Sequence, residues 1–271
     1  MSGNIELQIN SWSCWSPGIE SLSEWKDWAD SGSELGKTDT KIKADFIPAS
    51  LRRRCSNFTR AVIGVSSSCL DASELSTMKS VFASRHGETN VTLSILRDLA
   101  ASQLLSPNDF SLSVHNTSSG LFSMAFANRN LSTAIAAGPD TLLMALVESY
   151  SLLNSGSCPS VLCVIADEPL PSDFCRDETS INPFYAIALN LSLAAESPAH
   201  IAFNLSDIRS VKFEQAEADI KFIKNTNAFI RSLFDDRSSF DWDGLQTSFN
   251  LDVNSRDLSK TFKPFYASGS R

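Results

Sequence analysis

The chain has 271 residues, 42% of them apolar and 20% charged, with a net charge of −8. That balance describes an ordinary globular protein and excludes a disordered or fibrous one. An acidic chain also lacks the basic footprint that phosphate backbones require, which excludes nucleic acid as a partner.

The start, Met1-Ser2-Gly3-Asn4-Ile5-Glu6, lacks a basic segment followed by an apolar one, and no apolar run approaches the roughly 18 residues that cross a bilayer. A cytoplasmic protein with no membrane span is expected. Ile5 to Asn10 alternates and predicts a first strand, followed by a tryptophan-rich stretch (Trp12, Trp15, Trp25, Trp28) with a helix from about Gly18 to Ala29. Asp30 to Ala44 reads as a surface loop, and Arg52-Arg53-Arg54 precedes an apolar helix near Phe58 to Leu70. In an acidic chain the three arginines read as a salt-bridged or interface feature.

Val81-Phe82-Ala83 predicts a short buried strand, and the helix after it places Val91, Ile95 and Leu99 on one face. Ser106-Pro107 is a helix-start signature, yet Phe110 to Val114 alternates as a strand does. We expect a short turn leading into a strand there. The run then breaks into Asn116-Thr117-Ser118-Ser119-Gly120 and a helical pattern from about Thr117 to Ala127, the way a nucleophile elbow is built. A strand near Leu131 to Ala137, a helix from Asp140 to Leu153 and a strand from Val161 to Ile165 follow, an alternation that predicts a largely parallel sheet covered by helices. Phe184 to Leu193 and His200 to Leu205 read as an antiparallel strand pair. Phe213, Ala216, Ile220, Ile223, Ile230 and Phe234 mark one side of a long amphipathic helix, and Asp241 to Arg271 shows no periodicity.

Two readings of the elbow are open. Thr117 or Ser118 attacks a thioester with His115 as base, or the hydroxyls cap free N–H groups at the helix start. His86 beside Gly87 and Glu88 reads as half of an acid/base pair or as a turn in which Gly87 supplies a positive φ. Asp167-Glu168-Pro169 lacks a third ligand for a cation. The six cysteines (Cys14, Cys55, Cys69, Cys158, Cys163, Cys175) form no Cys-x-x-Cys pair and read as reduced structural thiols, so neither a metal nor any other cofactor is expected.

The elbow resembles the active-site elbow of β-ketoacyl-acyl-carrier-protein synthases, which reads approximately Ala-Cys-Ser/Thr-Ser-Gly/Ser. On that pattern Asn116 takes the alanine, Thr117 the catalytic cysteine, and Ser118, Ser119 and Gly120 the rest. With Trp15-Ser16-Pro17-Gly18, Arg52-Arg53-Arg54, Ser84-Arg85-His86-Gly87-Glu88, Ser106-Pro107, Ser113-Val114-His115-Asn116 and Asp167-Glu168, the chain is similar to the β-ketoacyl synthase-like N-terminal domain family, over roughly residues 3 to 206. Members of that family accompany aryl polyene and related type II polyketide assembly lines as chain-length-factor-like proteins.

The resemblance implies an α/β thiolase-like half-fold, a mainly parallel mixed sheet covered by helices over residues 1–206, with a helical, partly irregular extension over 207–271. It implies a degenerate site with neither the cysteine nor the two histidines of a full ketosynthase, hence no catalytic residue. The expected function is that of a non-catalytic subunit pairing with an active β-ketoacyl-ACP synthase and bounding an acyl channel near Phe110, Leu121, Phe122 and Met124. The dimer-forming strand would lie at about Ser111 to Val114. Residues 207–271 hold 10 acidic and 10 basic side chains, leaving 21 acidic against 13 basic in the first 206. Like charges repel, so an acidic acyl carrier protein would be engaged indirectly through the partner. The alternative is a standalone acyltransferase or thioesterase using a hydroxyl nucleophile at the elbow.

Overall fold

The computed structural model describes residues 4–36, 41–171, 174–175, 182–193, 199–204, 215–235, 238–243, 248–255 and 258–265. The first strand, β1 (Asn4–Trp15), is twice as long as its alternating core suggests, because Trp12, Cys14 and Trp15 are also buried. It is followed by α1 (Leu22–Ser31), α2 (Ala49–Arg52), α3 (Asn57–Cys69), α4 (Ala72–Thr77), β2 (Lys79–Ala83), α5 (Thr89–Ala100), α6 (Pro107–Leu112) and α7 (Thr117–Phe126). Then come β3 (Ser132–Ile135), α8 (Thr141–Asn154), β4 (Val161–Asp167), β5 (Tyr185–Leu193), β6 (Ala199–Asn204), α9 (Gln215–Ser232), β7 (Ser238–Asp243), β8 (Ser248–Ser255) and α10 (Leu258–Thr261).

Among the described residues the strands form one sheet in the order β3-β2-β4-β5-β1-β6-β8-β7. The two faces carry separate cores, and the period of two along each strand decides which core a side chain joins. Val161, Cys163 and Ile165 of β4 face the core that holds Trp25, Leu142, Leu146, Phe222 and Ile230. Leu162, Val164 and Ala166 face the other, with Phe58, Val62, Leu121 and Phe122. A strand covered on both sides must be apolar throughout, which is why β4 reads as a continuous hydrophobic run. The result is a three-layer α-β-α sandwich with α1, α8 and α9 on one face and α3 and α7 on the other.

The sheet is mixed, as expected, but β2 pairs in parallel only with β3 and β4, and the other five pairings are antiparallel. The expected pairing of β5 with β6 does not occur. β1 lies between them, antiparallel to both. The C-terminal segment is less helical than its sequence suggests: β8 pairs with β6 and β7 with β8, extending the same sheet. Ile223 and Ile230 of α9 are buried as predicted and Ile220 is exposed, whereas Phe213 lies outside the described residues. In the stretch read as a surface loop, Leu35, Ile42 and Ala44 are buried.

The strand expected over Phe110–Val114 is instead helix α6 followed by a turn. The start signature outweighs the alternation: Ser106 Oγ accepts from Asp109 N at 3.3 Å, Pro107 is preset for the first helical position, and only Leu112 of the alternating set is buried. The sheet therefore ends at β3, not at Ser111–Val114. On α5 the inward side chain is Leu93. Leu99, expected in the apolar stripe, is exposed with Leu96, because every residue from Leu96 to Ala100 stands clear of the body.

Candidate functional site

The hydroxyl cluster lies between α6 and α7, so the turn joins two helices and not a strand to a helix. Asn116 occupies the N-cap of α7 without a side-chain capping bond. The hydroxyls do not cap either; they donate backward to carbonyls, Thr117 Oγ1 to Leu112 O at 2.8 Å and Ser119 Oγ to Asn116 O at 2.9 Å. Ser118 Oγ lies 3.1 Å from Thr59 Oγ1, which donates to Glu88 Oε1 at 2.6 Å. All three are buried, and Gly120 has open space where a Cβ would be. His115 Nε2 is 2.8 Å from the carbonyl oxygen of Ser84, so it carries the proton and donates there. A nucleophile needs a free hydroxyl facing a base, and each of these hydroxyls is committed to another partner, while the donation from Nε2 leaves the lone pair of His115 on Nδ1.

Sequence reasoning missed how the strand ends converge. Asp167, at the end of the wholly apolar β4, is fully enclosed beside the end of β2. Its Oδ1 accepts from Ser84 Oγ at 2.9 Å, Arg85 N at 2.9 Å and His86 N at 3.3 Å, and its Oδ2 from Tyr185 Oη at 3.2 Å. These four donors tie the β2–α5 turn to β4 and β5 and occupy the oxygens a cation would need. Burial pushes Asp167 up to about 6 against the pull of those hydrogen bonds, and burial followed by the nearby Arg85 lowers His86 to about 4. Arg85 pairs with Asp219 of α9 and stacks over the Phe222 ring. Gly87 has φ +58, and a Cβ there would sit 3.0 Å from His115 Cδ2, so the close approach of His115 requires glycine. The clue in the sequence was an aspartate closing an apolar strand.

Of the four residues expected to line an acyl channel, Leu121 and Phe122 are buried in the core, while Phe110 and Met124 are exposed by 66% and 53%. Phe122 packs edge-on to Phe82 at 5.1 Å between centroids. Leu96, Leu99, Leu104, Val114 and Leu131 are exposed as well. Beside Leu131 is β3, an edge strand with one side unpaired among the described residues. From β3 the chain turns at Ala137 and Gly138 (φ +57) into α8, and there Trp242 Nε1 donates to Asp140 Oδ1 at 3.1 Å. The cysteines are free thiols; burial pushes Cys55 up to about 11 and Cys69 and Cys163 up to about 12, which makes them inert. No helix among the described residues is long and apolar enough to cross a membrane.

Residues 25–250 match the family described as beta-ketoacyl synthase, N-terminal domain. No curated protein sequence matches the chain. Among solved structures, a ketosynthase (ApeO) in complex with its chain length factor (ApeC) from Xenorhabdus doucetiae aligns at TM-score 0.75 and 25% identity, covering 92% of this chain and 99% of that one. The ishigamide ketosynthase/chain length factor aligns at TM-score 0.58 and 16% identity, over 76% of this chain and 67% of that one. A type II polyketide acyl-carrier protein in complex with its ketosynthase, AntDE:AntF, aligns at 0.62 and 11% identity, over 94% and 100%. The last two show the fold alone, and all three agree on a thiolase-like α/β ketosynthase fold. Since the matched span covers far more than half of the sequence, the chain belongs to the beta-ketoacyl synthase N-terminal domain family.

Proposed function

We propose that this protein is a non-catalytic, chain-length-factor-type subunit that pairs with an active β-ketoacyl-ACP synthase and helps bound its acyl channel. The observation that carries the reading is the state of the hydroxyls at the turn: Thr117, Ser118 and Ser119 are buried and committed to other partners. The likeness to a ketosynthase and chain length factor complex supports the pairing. The partner supplies the thiol, the histidines and the docking of the acyl carrier protein, which the acidic body of this chain disfavours.

The pairing surface we infer is the free edge of β3 with the apolar side chains beside it. An unpaired edge next to several exposed apolar residues is a liability in an isolated monomer and an asset in a dimer. Leu131 and Ile135 direct their carbonyls to β2, so Ser132 and Ala134 direct their backbone groups outward. On this reading Phe110 and Met124 face the partner and form this subunit's part of the channel wall, backed by Leu121 and Phe122. The described part of residues 207–271 covers the face of the sheet that a second half would occupy in a full synthase, and the Trp242–Asp140 contact supports that role.

Co-expression with an active β-ketoacyl-ACP synthase tests the pairing. A co-purifying complex is expected, lost in Ala134→Pro, which removes an outward N–H without touching the bonds to β2. Two separate species on gel filtration, with the ketosynthase fully active alone, would reject the reading.

A further inference from the structure

The register of β4 and β5 sets two polar side chains against each other where the sheet is otherwise apolar. Asp167 lies directly opposite Tyr185, and the period of two that turns Val161, Cys163 and Ile165 toward the core under α9 turns Asp167 the same way. Tyr185 belongs to that core, with Phe222, Ile223, Phe229 and Ile230 of α9. Both polar side chains are fully buried, and neither takes part in the proposed pairing with a ketosynthase.

The carboxylate is loaded unevenly. Oδ1 accepts from Ser84 Oγ, Arg85 N and His86 N, whereas Oδ2 accepts only from the Tyr185 hydroxyl, at 3.2 Å. A proton arriving from solvent therefore adds to Oδ2, where it disturbs one donor instead of three. Two hydrogens cannot lie between Oδ2 and the phenol oxygen, so the Tyr185 O–H has to rotate away. Burial holds that phenol far above its ordinary value, so it keeps its own proton. Within its reach is Thr226 of α9, wholly buried, whose Oγ1 has no hydrogen-bond partner. A buried hydroxyl oxygen left unpaired costs stability, and the rotated O–H supplies its partner. We propose that Asp167, Tyr185 and Thr226 form a proton-operated clasp on α9: with Asp167 ionised the phenol donates to the carboxylate, and with Asp167 protonated Oδ2 donates to the phenol oxygen while the phenol donates to Thr226. Only the O–H bond of the acid forms or breaks, its proton exchanging with water, and α9 is held more tightly to the sheet in acid. The charged and titratable groups around Asp167 are Arg85 and His86 on the β2–α5 turn, Tyr185 on β5, Glu168 next in the chain, and Asp219 of α9, which is paired with Arg85. Arg85 favours the ionised acid, and burial opposes it more strongly.

Hydrogen exchange of the full chain, corrected for the intrinsic effect of pH, tests the clasp. Protection of the α9 amides is expected to be about fivefold greater at about pH 5 than at about pH 7.5, the equilibrium effect of one net buried hydrogen bond. Thr226→Val, close in shape to the native side chain, and Tyr185→Phe should each abolish the difference. Asp167→Asn, whose amide donates to the phenol oxygen at any pH, should show the higher protection throughout. Carbon-13 NMR of tyrosine Cζ reads the phenol itself in the wild type, without reliance on any variant's stability. Of the 3 tyrosine signals, the one removed by Tyr185→Phe should move with a midpoint at about pH 6. That movement should persist in His86→Gln and vanish in Asp167→Asn. A Tyr185 signal that does not move, α9 protection that is the same at both pH values, or a difference that survives in Thr226→Val would overturn the proposal.

Discussion

Thr117 shows at the level of one residue how the hydroxyls of the turn are engaged. Its hydroxyl proton is given to the Leu112 carbonyl within a buried turn, so its contribution is structural. Thr117→Ala should lower stability by about 1 kcal/mol, the net value of one buried hydrogen bond, and leave the turnover of a reconstituted complex unchanged. Denaturant unfolding and a turnover assay check the two halves of that statement. Asp167 and His86 make a pH prediction with opposite signs. Asp167, raised from 3.8 to about 6, binds a proton more readily in the folded state, so its contribution to stability falls as pH rises from about 4 to 6 and is level above. His86, lowered from 6.5 to about 4, binds a proton less readily when folded, so its contribution rises between about pH 4 and 6.5. In the wild type these trends oppose each other. Asp167→Asn should therefore steepen the gain in stability between pH 4 and 6.5, and His86→Gln should reverse it into a loss, as thermal melts across that range will show.

At the scale of elements, the β2–α5 turn and the α5–α6 surface do different work. The turn is rigid: Gly87→Ala places a side chain at positive φ and against His115, and should cost at least about 1 kcal/mol, read from the denaturant midpoint. The surface is spare in the monomer. Phe110→Asp should leave the melting temperature of the isolated chain unchanged and weaken association with the ketosynthase at least tenfold, measured by biolayer interferometry. The elements also show what a sequence can reveal. β4 was legible because a doubly covered strand must be apolar throughout, and α8 because its apolar positions recur at helical spacing. α6 was not, since six residues with a capping serine and a proline can also alternate, and only the absence of a sheet neighbour decides between the two. The same limit displaced the proposed dimer edge: which strand lies outermost is a property of the assembled sheet, so β3 was found as a strand but not as the edge.

Over the whole molecule, the N- and C-terminal segments are one structure. Trp12 Nε1 donates to Leu258 O at 2.9 Å, and the Trp12 ring meets Phe234 and Phe262 edge-on at 5.0 and 4.9 Å. The Phe265 ring lies where a Cβ on Gly64 would be, so this segment packs directly onto α3. Long-range closure of this kind leaves no periodic trace, which is why the stretch from Asp241 on reads as irregular although it holds the end of β7 and all of β8. The fold class and family were legible from motif order, whereas the buried network at the strand ends was not, because Ser84, Asp167 and Tyr185 are far apart in sequence. The proposed function takes this synthase scaffold to rely on a partner for its chemistry. Turnover of an acyl thioester by the purified chain alone, by the ketosynthase alone and by the two together tests that most directly. The account predicts no turnover by the chain alone and full activity only in the complex, unaffected by Thr117→Ala; turnover by the isolated chain that disappears with Thr117→Ala would contradict it.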